Sequence, residues 1–262
     1  MSEEFCAKGT DKGKEPPKSD EVDDKSSETD DDENEESGCQ SNCDQPTSGA
    51  SNGDIQSRVI GYYQAFAHDR KCQDMDFNNI PVGALTHLFF SFGYITPNDF
   101  KIAPMDKLKA SLFSDLTAVK TKNPDLKAVI ALGGWTFNDN NTDTQRVFSD
   151  LVLTADNRRE FINNLLSFMR QYAFDGVDFD WEYPGASDRG GRPDDGKNFV
   201  FLLKELQDAI KLQPVDYTVS FTVPTSYWYL RLFDLKAVDH VDWINVMSYG
   251  KFDTIVSYQN LY

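Results

Sequence analysis

The chain has 262 residues, enough for one large α/β domain or two small ones, and 39% of them are hydrophobic, which suffices for a sizeable core. Its formal net charge of −17 and the lack of a basic patch argue against nucleic acid as a partner. No run of 18 apolar residues occurs, so we expect no membrane span. The first ten residues, MSEEFCAKGT, also lack the charged-then-apolar pattern of a signal peptide.

Most of the negative charge lies in residues 1–57, which hold 17 acidic side chains against 5 lysines. From residue 7 onward this segment has almost no apolar side chain, so it cannot bury enough surface to offset its chain entropy. We predict that it is disordered and acts as a solvating linker, a specific acidic binding tail being the alternative. Residues 58–262 are predicted to form the folded domain.

The four cysteines are Cys6, Cys39, Cys43 and Cys72. A C-x3-C pair without a second pair of Cys or His ligands is a poor zinc site. Disulfide bonds are therefore the favoured interpretation, and they would imply an oxidising compartment. Their pairing stays open.

After residue 57, short apolar runs alternate with segments of helical spacing. The apolar runs, which we predict to be strands, are 58–66, 86–95, 126–135, 175–183, 217–224 and 242–250. Helical spacing occurs at about 105–122, 155–172, 197–212 and 228–239. Several apolar runs are nearly continuous, as expected when both faces of a parallel sheet are buried.

This alternation predicts βαβ units and a parallel sheet. An open doubly wound sheet and a (β/α)8 barrel are the two candidate architectures. No G-x-G-x-x-G follows the first strand, which weakens the dinucleotide-binding version of the open sheet. Polar residues cluster at the C-terminal ends of several strands, where a barrel has its site. We therefore predict an α/β fold with the (β/α)8 TIM-barrel architecture.

The predicted strand 175–183 has the sequence DGVDFDWEY. Because side chains alternate along a strand, Asp178, Asp180 and Glu182 share one face, which would line the barrel interior, while the intervening apolar side chains meet the helices. Asp175 falls out of phase and is expected at the start of the strand. Carboxylates spaced about 7 Å apart perturb one another's pKa values. The outermost, Glu182, would then stay protonated near neutral pH more easily than an isolated Glu, which suits a general acid.

Two other interpretations of these acids stay open. They could cap loops, or they could bind a hard cation such as Mg2+ or Ca2+. The interleaved Phe179, Trp181 and Tyr183 favour a carbohydrate site, because aromatic faces stack on sugar rings.

The run DGVDFDWE resembles the D-x-x-D-x-D-x-E signature of the family 18 glycoside hydrolases, the chitinases and their relatives. THLFFSFGYI resembles that family's second strand, KAVIALGGW its third and DWINVMSYG its sixth. The resemblance covers roughly residues 58 to 250 and is closest to the fungal killer-toxin-like chitinases. GCQSNCDQP and SEEFCAKGT resemble pieces of a hevein-type chitin-binding module, of which the tail would be a remnant.

The resemblance implies cleavage of β-1,4 N-acetylglucosamine linkages in chitin by a retaining, substrate-assisted mechanism, without cofactor or metal. Glu182 would be the proton donor, Asp180 would stabilise the acetamido group, Asp178 would modulate its charge, and Tyr249 would contact the acetamido carbonyl. The implied substrate-binding residues are Trp135, Met247, Tyr183, Tyr62 and Gly134. Trp135 and Tyr249 could instead be ordinary core aromatics. The resemblance also implies a secreted protein, and we expect a monomer.

Two departures from the family pattern affect the expected function. Gly250 stands where the family has Asp, and the sequence after it no longer follows the family. The chain ends at Tyr262, so the expectation is a C-terminally truncated barrel with about six of its eight βα units. Three hypotheses stay open: an endochitinase-type enzyme, a non-catalytic chitin-binding or lectin-like remnant, and an inactive fragment.

Overall fold

A computed structural model of the chain describes residues 58–68, 75–105 and 108–249. The acidic segment 1–57, the four cysteines, Gly250 and the run that follows it lie outside the described residues. What the sequence predicts for them therefore stays a prediction.

The predicted strands and helices are present, most of them shorter than expected. The strands are β1 (Ile60–Gln64), β2 (His87–Ile95), β3 (Ile102–Pro104), β4 (Lys127–Gly133), β5 (Gly176–Asp180), β6 (Thr218–Pro224) and β7 (Trp243–Met247). The α-helices are α1 (Ser111–Ala118), α2 (Val147–Leu153), α3 (Ala155–Tyr172), α4 (Asp195–Ile210) and α5 (Tyr227–Leu230). The short elements β3 and α2 were not predicted, and most of the predicted helix 228–239 is instead a turn and a 3-10 helix, Leu235–His240.

The sheet runs in the order β1-β2-β4-β5-β6-β7, with every neighbouring pair parallel. Strand β3 pairs antiparallel with the end of β2. The sheet is curled, as the contacts of Trp243 show: this residue of β7 contacts residues next to β1 and on β2, at the opposite edge of the sheet. The Arg58 guanidinium lies 4.3 Å from the Trp243 ring centroid, and the His87 ring centroid lies 5.1 Å from it. The residues that the structure describes form an incomplete (β/α) barrel, which confirms the predicted fold class.

The main core lies between the convex face of the sheet and the helices. On β5, Phe179 packs against Phe161 of α3 and Phe199 of α4, with ring centroids 6.1 and 5.7 Å apart. Just beyond the strand, Trp181 stacks on Phe148 of α2 at 5.2 Å. This packing confirms that the apolar side chains of the acidic strand face the helices. The acidic side chains must then point to the concave face.

A smaller apolar cluster of Phe89, Val129 and Ala131 occupies the concave face on β2 and β4. In the register of the sheet, Ala131 pairs with Asp178 on β5. The barrel interior is therefore apolar on the side of β2 and β4 and becomes polar at β5. The carboxylates have small or apolar side chains on one side and need polar partners on the other.

The N-terminal end of the sheet holds a buried histidine, His87. Its Nδ1 lies 2.9 Å from the Thr86 hydroxyl, and its ring meets Trp243 edge to face. Burial lowers the pKa of His87 to about 4, and the positive charges of Arg58 and Lys127 act in the same direction. The ring is therefore held neutral at a pH where an unfolded histidine is charged.

We expect this histidine to make the free energy of unfolding decrease at acidic pH, and we expect His87→Gln to remove that contribution. The unfolded ring takes up its proton near pH 6.5 and the folded one near 4, so stability due to the neutral ring is lost as pH falls through this window. When the pH is lowered from 6.5 to 4, the free energy of unfolding should fall in both proteins. The fall should be smaller in His87→Gln than in the wild type, by on the order of 2 to 3 kcal/mol. Urea denaturation of both proteins at several pH values measures this difference. Both proteins contain the same carboxylates, so the pH dependence that these groups cause cancels in the comparison. Equal losses in the two proteins would contradict it.

Candidate active site

Three carboxylates lie in line at the C-terminal end of β5: Asp178 and Asp180 within the strand and Glu182 two residues beyond it. Each is at most 7% exposed. Asp175 lies apart from them, before the start of the strand, where it pairs with Lys120 at 2.8 Å. The structure thus gathers the three acids that the sequence singled out and excludes the fourth, as predicted.

Asp178 is fully buried and takes its partners from the next two strands. It accepts hydrogen bonds from Ser220 Oγ (2.6 Å) and Thr222 Oγ1 (3.2 Å) on β6, and from Asn245 Nδ2 (2.9 Å) on β7. Burial raises the pKa of Asp178 to about 6, against the effect of these three hydrogen bonds, which favour the ionised form. Asp178 can therefore gain or lose a proton near neutral pH.

Asp180 lies between the other two acids and lacks a hydrogen bond to one of its carboxylate oxygens. Its buried Oδ1 has no hydrogen-bond partner among the described residues. Burial raises the pKa of Asp180 well above its ordinary value, and the nearby charges of Glu182 and Asp178 raise it further. An unpartnered oxygen in such a position costs free energy unless the group is protonated or a ligand supplies a donor. The free oxygen is thus a place for a donor from a bound molecule.

Glu182 is the outermost of the three acids. Burial raises its pKa, while a hydrogen bond with Tyr183 and the positive charge of Arg189 lower it and the negative charge of Asp139 raises it. Tyr183 is itself buried, with its ring stacked on Tyr229 at 4.4 Å between centroids. Glu182 can therefore keep a proton at a pH where an exposed Glu has lost it, which is what a general acid requires.

A glycine turn brings Trp135 to the mouth of the barrel. Gly133 and Gly134 both have positive φ, at 108° and 84°, and the Gly134 N–H donates to the Asp180 carbonyl at 2.9 Å. The chain therefore crosses the end of β5 and begins a 3-10 helix at Trp135, whose side chain is 52% exposed. Gly134, a predicted substrate-binding residue, acts here through the backbone of this turn.

Two tyrosines and a methionine from the outer strands complete the mouth. Tyr62 on β1 is half-buried, and burial followed by the charges of Asp178 and Asp180 raises its pKa. Tyr249 follows β7 and is 77% exposed, but partial burial and the charges of the three acids raise its pKa as well. Met247, the last residue of β7, is partly buried against the main core. The structure places all the sequence-predicted site residues around the C-terminal end of the barrel.

The structure adds five residues that the sequence analysis missed. They are Ser220, Thr222, Asn245, Arg189 and Asp139. The first two occupy alternate positions of the strand TVSFTVP, so the period-two pattern used for β5 could have found them. Arg189 and Asp139 lie in loops, where no periodicity indicates which way a side chain points.

In the described parts of the chain, no group of three or more His, Cys, Asp or Glu side chains is arranged to hold a metal ion. Within the same residues, no helix combines the length and apolar character needed to cross a membrane.

Comparison with known proteins identifies the family. The model of glycosyl hydrolases family 18 matches residues 58–260. The chain therefore belongs to the glycosyl hydrolases of family 18, which confirms the resemblance of the motifs along β2, β4, β5 and β7.

Relatives and solved structures agree with this assignment. "Probable chitinase LysM11" of Penicillium expansum is 33% identical over 86% of this chain and 20% of its own length, and "Killer toxin subunits alpha/beta" of Kluyveromyces lactis is 34% identical over 81% and 18%. The Group IV chitinase of Ostrinia furnacalis is similar in structure, with a TM-score of 0.65 and 29% identity over 73% of this chain and 51% of that chain. The same chitinase was also solved with allosamidin. The chain thus spans about a fifth of the two relatives and half of the solved chitinase.

We expect Gly134 to be far less tolerant of a side chain than Gly185, a second loop glycine with positive φ. At Gly134, with φ 84° and ψ 171°, an added Cβ would lie 2.6 Å from the Phe92 ring; at Gly185, with φ 72°, the nearest atoms are 3.6 Å away. Gly185→Ala should cost about 1 kcal/mol of unfolding free energy, and Gly134→Ala at least about 2 kcal/mol more. Urea unfolding of both variants compares them. Equal costs would show that the turn does not need Gly134.

Proposed function

We propose that this site hydrolyses β-1,4-linked N-acetylglucosamine polymers of the chitin class, with Glu182 as the proton donor. One observation carries the proposal: a line of three buried carboxylates ends in an acid of raised pKa at the barrel mouth, next to an Asp180 oxygen that lacks a donor. Membership of glycosyl hydrolases family 18 and the chitinase names of the relatives support this choice of substrate.

In the first step, Glu182 gives its proton to the glycosidic oxygen, which leaves with the electron pair of the bond to the anomeric carbon. The acetamido carbonyl oxygen of the same sugar attacks that carbon and forms an oxazolinium ion, so the substrate supplies the nucleophile. Asp180 accepts a hydrogen bond from the acetamido N–H on its unpartnered oxygen. Its negative charge then stabilises the positive ion.

In the second step, the Glu182 carboxylate takes a proton from water, and the resulting hydroxide attacks the anomeric carbon. The bond to the acetamido oxygen breaks and the ring of the intermediate opens. Glu182 is protonated again for the next cycle. Two inversions at one carbon give net retention of configuration.

Asp178 takes up the proton that Asp180 releases during the reaction. Three carboxylates in a buried line cannot all be ionised, so they share protons. A hydrogen bond from the acetamido group favours the ionised form of Asp180, and the proton it releases can be held by Asp178, whose pKa is about 6. Ser220, Thr222 and Asn245 keep Asp178 in place in either state.

The aromatic side chains at the mouth suit a sugar substrate. The half-exposed Trp135 indole offers a face on which a sugar ring can stack. We propose that Tyr249 donates from its hydroxyl to the acetamido carbonyl and that Tyr62 and Met247 border the bound sugar. Besides burial, the charges of Asp178 and Asp180 raise the pKa of both tyrosines, which supports this proposal for Tyr249 and Tyr62. Because chitin is an insoluble polymer outside cells, we also propose that the protein is secreted. We further propose that it acts as a monomer.

Replacing the proton donor should abolish turnover without removing binding. We expect Glu182→Gln to lower kcat on chito-oligosaccharides by at least about 100-fold, because the amide cannot donate a proton to the leaving oxygen. Glu160→Gln, on the exposed face of α3, is the matched control and should keep full activity. Product release followed by chromatography measures turnover, and calorimetry measures binding.

The same assays separate the competing functions. Wild-type protein that binds the oligosaccharide but releases no product would support the lectin-like alternative. A folded wild-type protein that does neither would contradict the proposal.

A second expectation concerns the alkaline limb of the pH profile. The hydrogen bond from Tyr183 favours ionised Glu182, so its loss raises the pKa of the acid. Tyr183→Phe should therefore shift the alkaline limb of kcat/KM to higher pH, while the ring keeps its stack on Tyr229. Tyr217→Phe, at another buried tyrosine, serves as the control. A limb that stays in place or moves to lower pH would argue against Glu182 as the titrating acid.

A further inference from the structure

Arg189 lies at the end of a 3-10 turn, Ser187–Arg189, in the loop that returns from Glu182. Its side chain is only 7% exposed, which is unusual for an arginine. The loop is tied on its other side as well, because the Tyr229 hydroxyl donates to Asp188 at 2.8 Å. A buried cation beside a general acid needs an explanation.

The Arg189 guanidinium joins three parts of the site at once. Its Nε donates to the Glu182 carbonyl at 3.1 Å, and its Nη1 donates to Asp139 Oδ1 at 2.8 Å. Its Nη2 donates to the Trp135 carbonyl. The guanidinium carbon also lies over the Trp135 indole, 3.9 Å from the ring centroid. One side chain therefore fixes both the backbone and the ring of Trp135 relative to Glu182.

Only arginine can make this set of contacts. A guanidinium presents five donors in a rigid plane and can stack on an aromatic face at the same time. A lysine ammonium keeps the charge but has no plane to stack and no fixed fork. Arg189→Lys therefore removes the geometry and retains the charge.

We propose that Arg189 is a positioning residue for the reaction: it holds the Trp135 indole in the orientation that receives a sugar ring beside Glu182. The inference rests on the proposed function, since it assigns Trp135 to substrate binding. Arg189 itself is not placed to bind the substrate, because its side chain is only 7% exposed, each of its three nitrogens donates to a protein acceptor, and the guanidinium lies against the indole.

The chain offers a matched control in Arg158. This residue is also buried, donates from Nε and Nη2 to both oxygens of Glu205 and from Nη1 to the Val152 carbonyl, and lies 5.5 Å from the Phe201 ring centroid. It joins α3 to α4, away from the three acids. A purely structural buried arginine should respond like Arg158.

The test compares Arg189→Lys with Arg158→Lys. Both should lower Tm, but only Arg189→Lys should raise KM for chito-oligosaccharides, by about tenfold. In a Trp135→Ala background the same substitution should leave KM nearly unchanged, because the ring that Arg189 holds is gone. The proposal would be overturned if Arg189→Lys had the same KM as Arg158→Lys. It would also be overturned if Arg189→Lys raised KM as much in the Trp135→Ala background as in the wild type.

A readout without turnover separates this proposal from the proposed function. The indole N–H resonance of Trp135, assigned with Trp135→Phe, should shift or broaden in Arg189→Lys and stay as in the wild type in Arg158→Lys. If the wild type neither binds nor hydrolyses the oligosaccharide, the proposed function fails, and the indole resonance alone decides the role of Arg189. An unchanged resonance in Arg189→Lys would overturn that role.

Asp139→Ala tests the same claim if Arg189→Lys does not fold. The Asp139 side chain is 41% exposed, so its loss is compatible with folding, and the guanidinium loses one anchor. We expect a KM rise in the same direction, about threefold. Asp150→Ala, which removes the partner of Arg192 in another ion pair, is the control. No rise, or an equal rise in the control, would count against the proposal.

Asp139→Ala also has an electrostatic readout that a structural role would not move. The charged and titratable groups that act on Glu182 are Asp180, Tyr183, Arg189, Asp139 and Tyr249. Of these, Asp139 raises the pKa of Glu182, so its removal should shift the alkaline limb of kcat/KM to lower pH. This is opposite to the shift from Tyr183→Phe, and an upward shift or none would count against the placement of Asp139 and Arg189 beside Glu182.

Discussion

The site depends on the burial of three like charges on one strand. Burial raises the pKa of Asp178, Asp180 and Glu182, and the surrounding groups then differentiate them. Asp178 receives three hydrogen-bond donors, Asp180 leaves one oxygen without a partner, and Glu182 is influenced by charges of both signs. Three identical functional groups thus obtain three different protonation behaviours from the groups that surround each of them.

The rest of the architecture serves this arrangement. The register of the sheet places small residues of β4 beside the acids on one side and the hydroxyls of β6 on the other. The aromatic side chains of β5 and of the residues after it fill the space under α2, α3 and α4, which fixes the direction of the acids. The glycine turn after β4 and the loop containing Arg189 then meet above Glu182. Trp135 lies where these two segments join.

Sequence alone could predict what is periodic or local. The apolar runs predicted the parallel strands, and alternation along β5 predicted which acids face inward. It could not predict β3 and α2, which are short and lack a long periodic pattern. Nor could it predict the Arg189 contacts, because a loop residue's partners depend on how three separate segments return to one point. Ser220 and Thr222 are an intermediate case, since their alternation is visible but their partner Asp178 is 42 and 44 residues away.

A carboxyl 13C NMR titration of the wild-type chain, assigned with Asp178→Asn, Asp180→Asn and Glu182→Gln, measures the protonation of the three acids directly. Ordinary Asp and Glu side chains are largely ionised at pH 5, with pKa values of about 3.9 and 4.3. We predict that the three acids together still retain protons there, with a step near 6 from Asp178 and a step well above the ordinary Asp range from Asp180. Titration of all three near pH 4 would contradict it, because the site would then hold no proton to transfer.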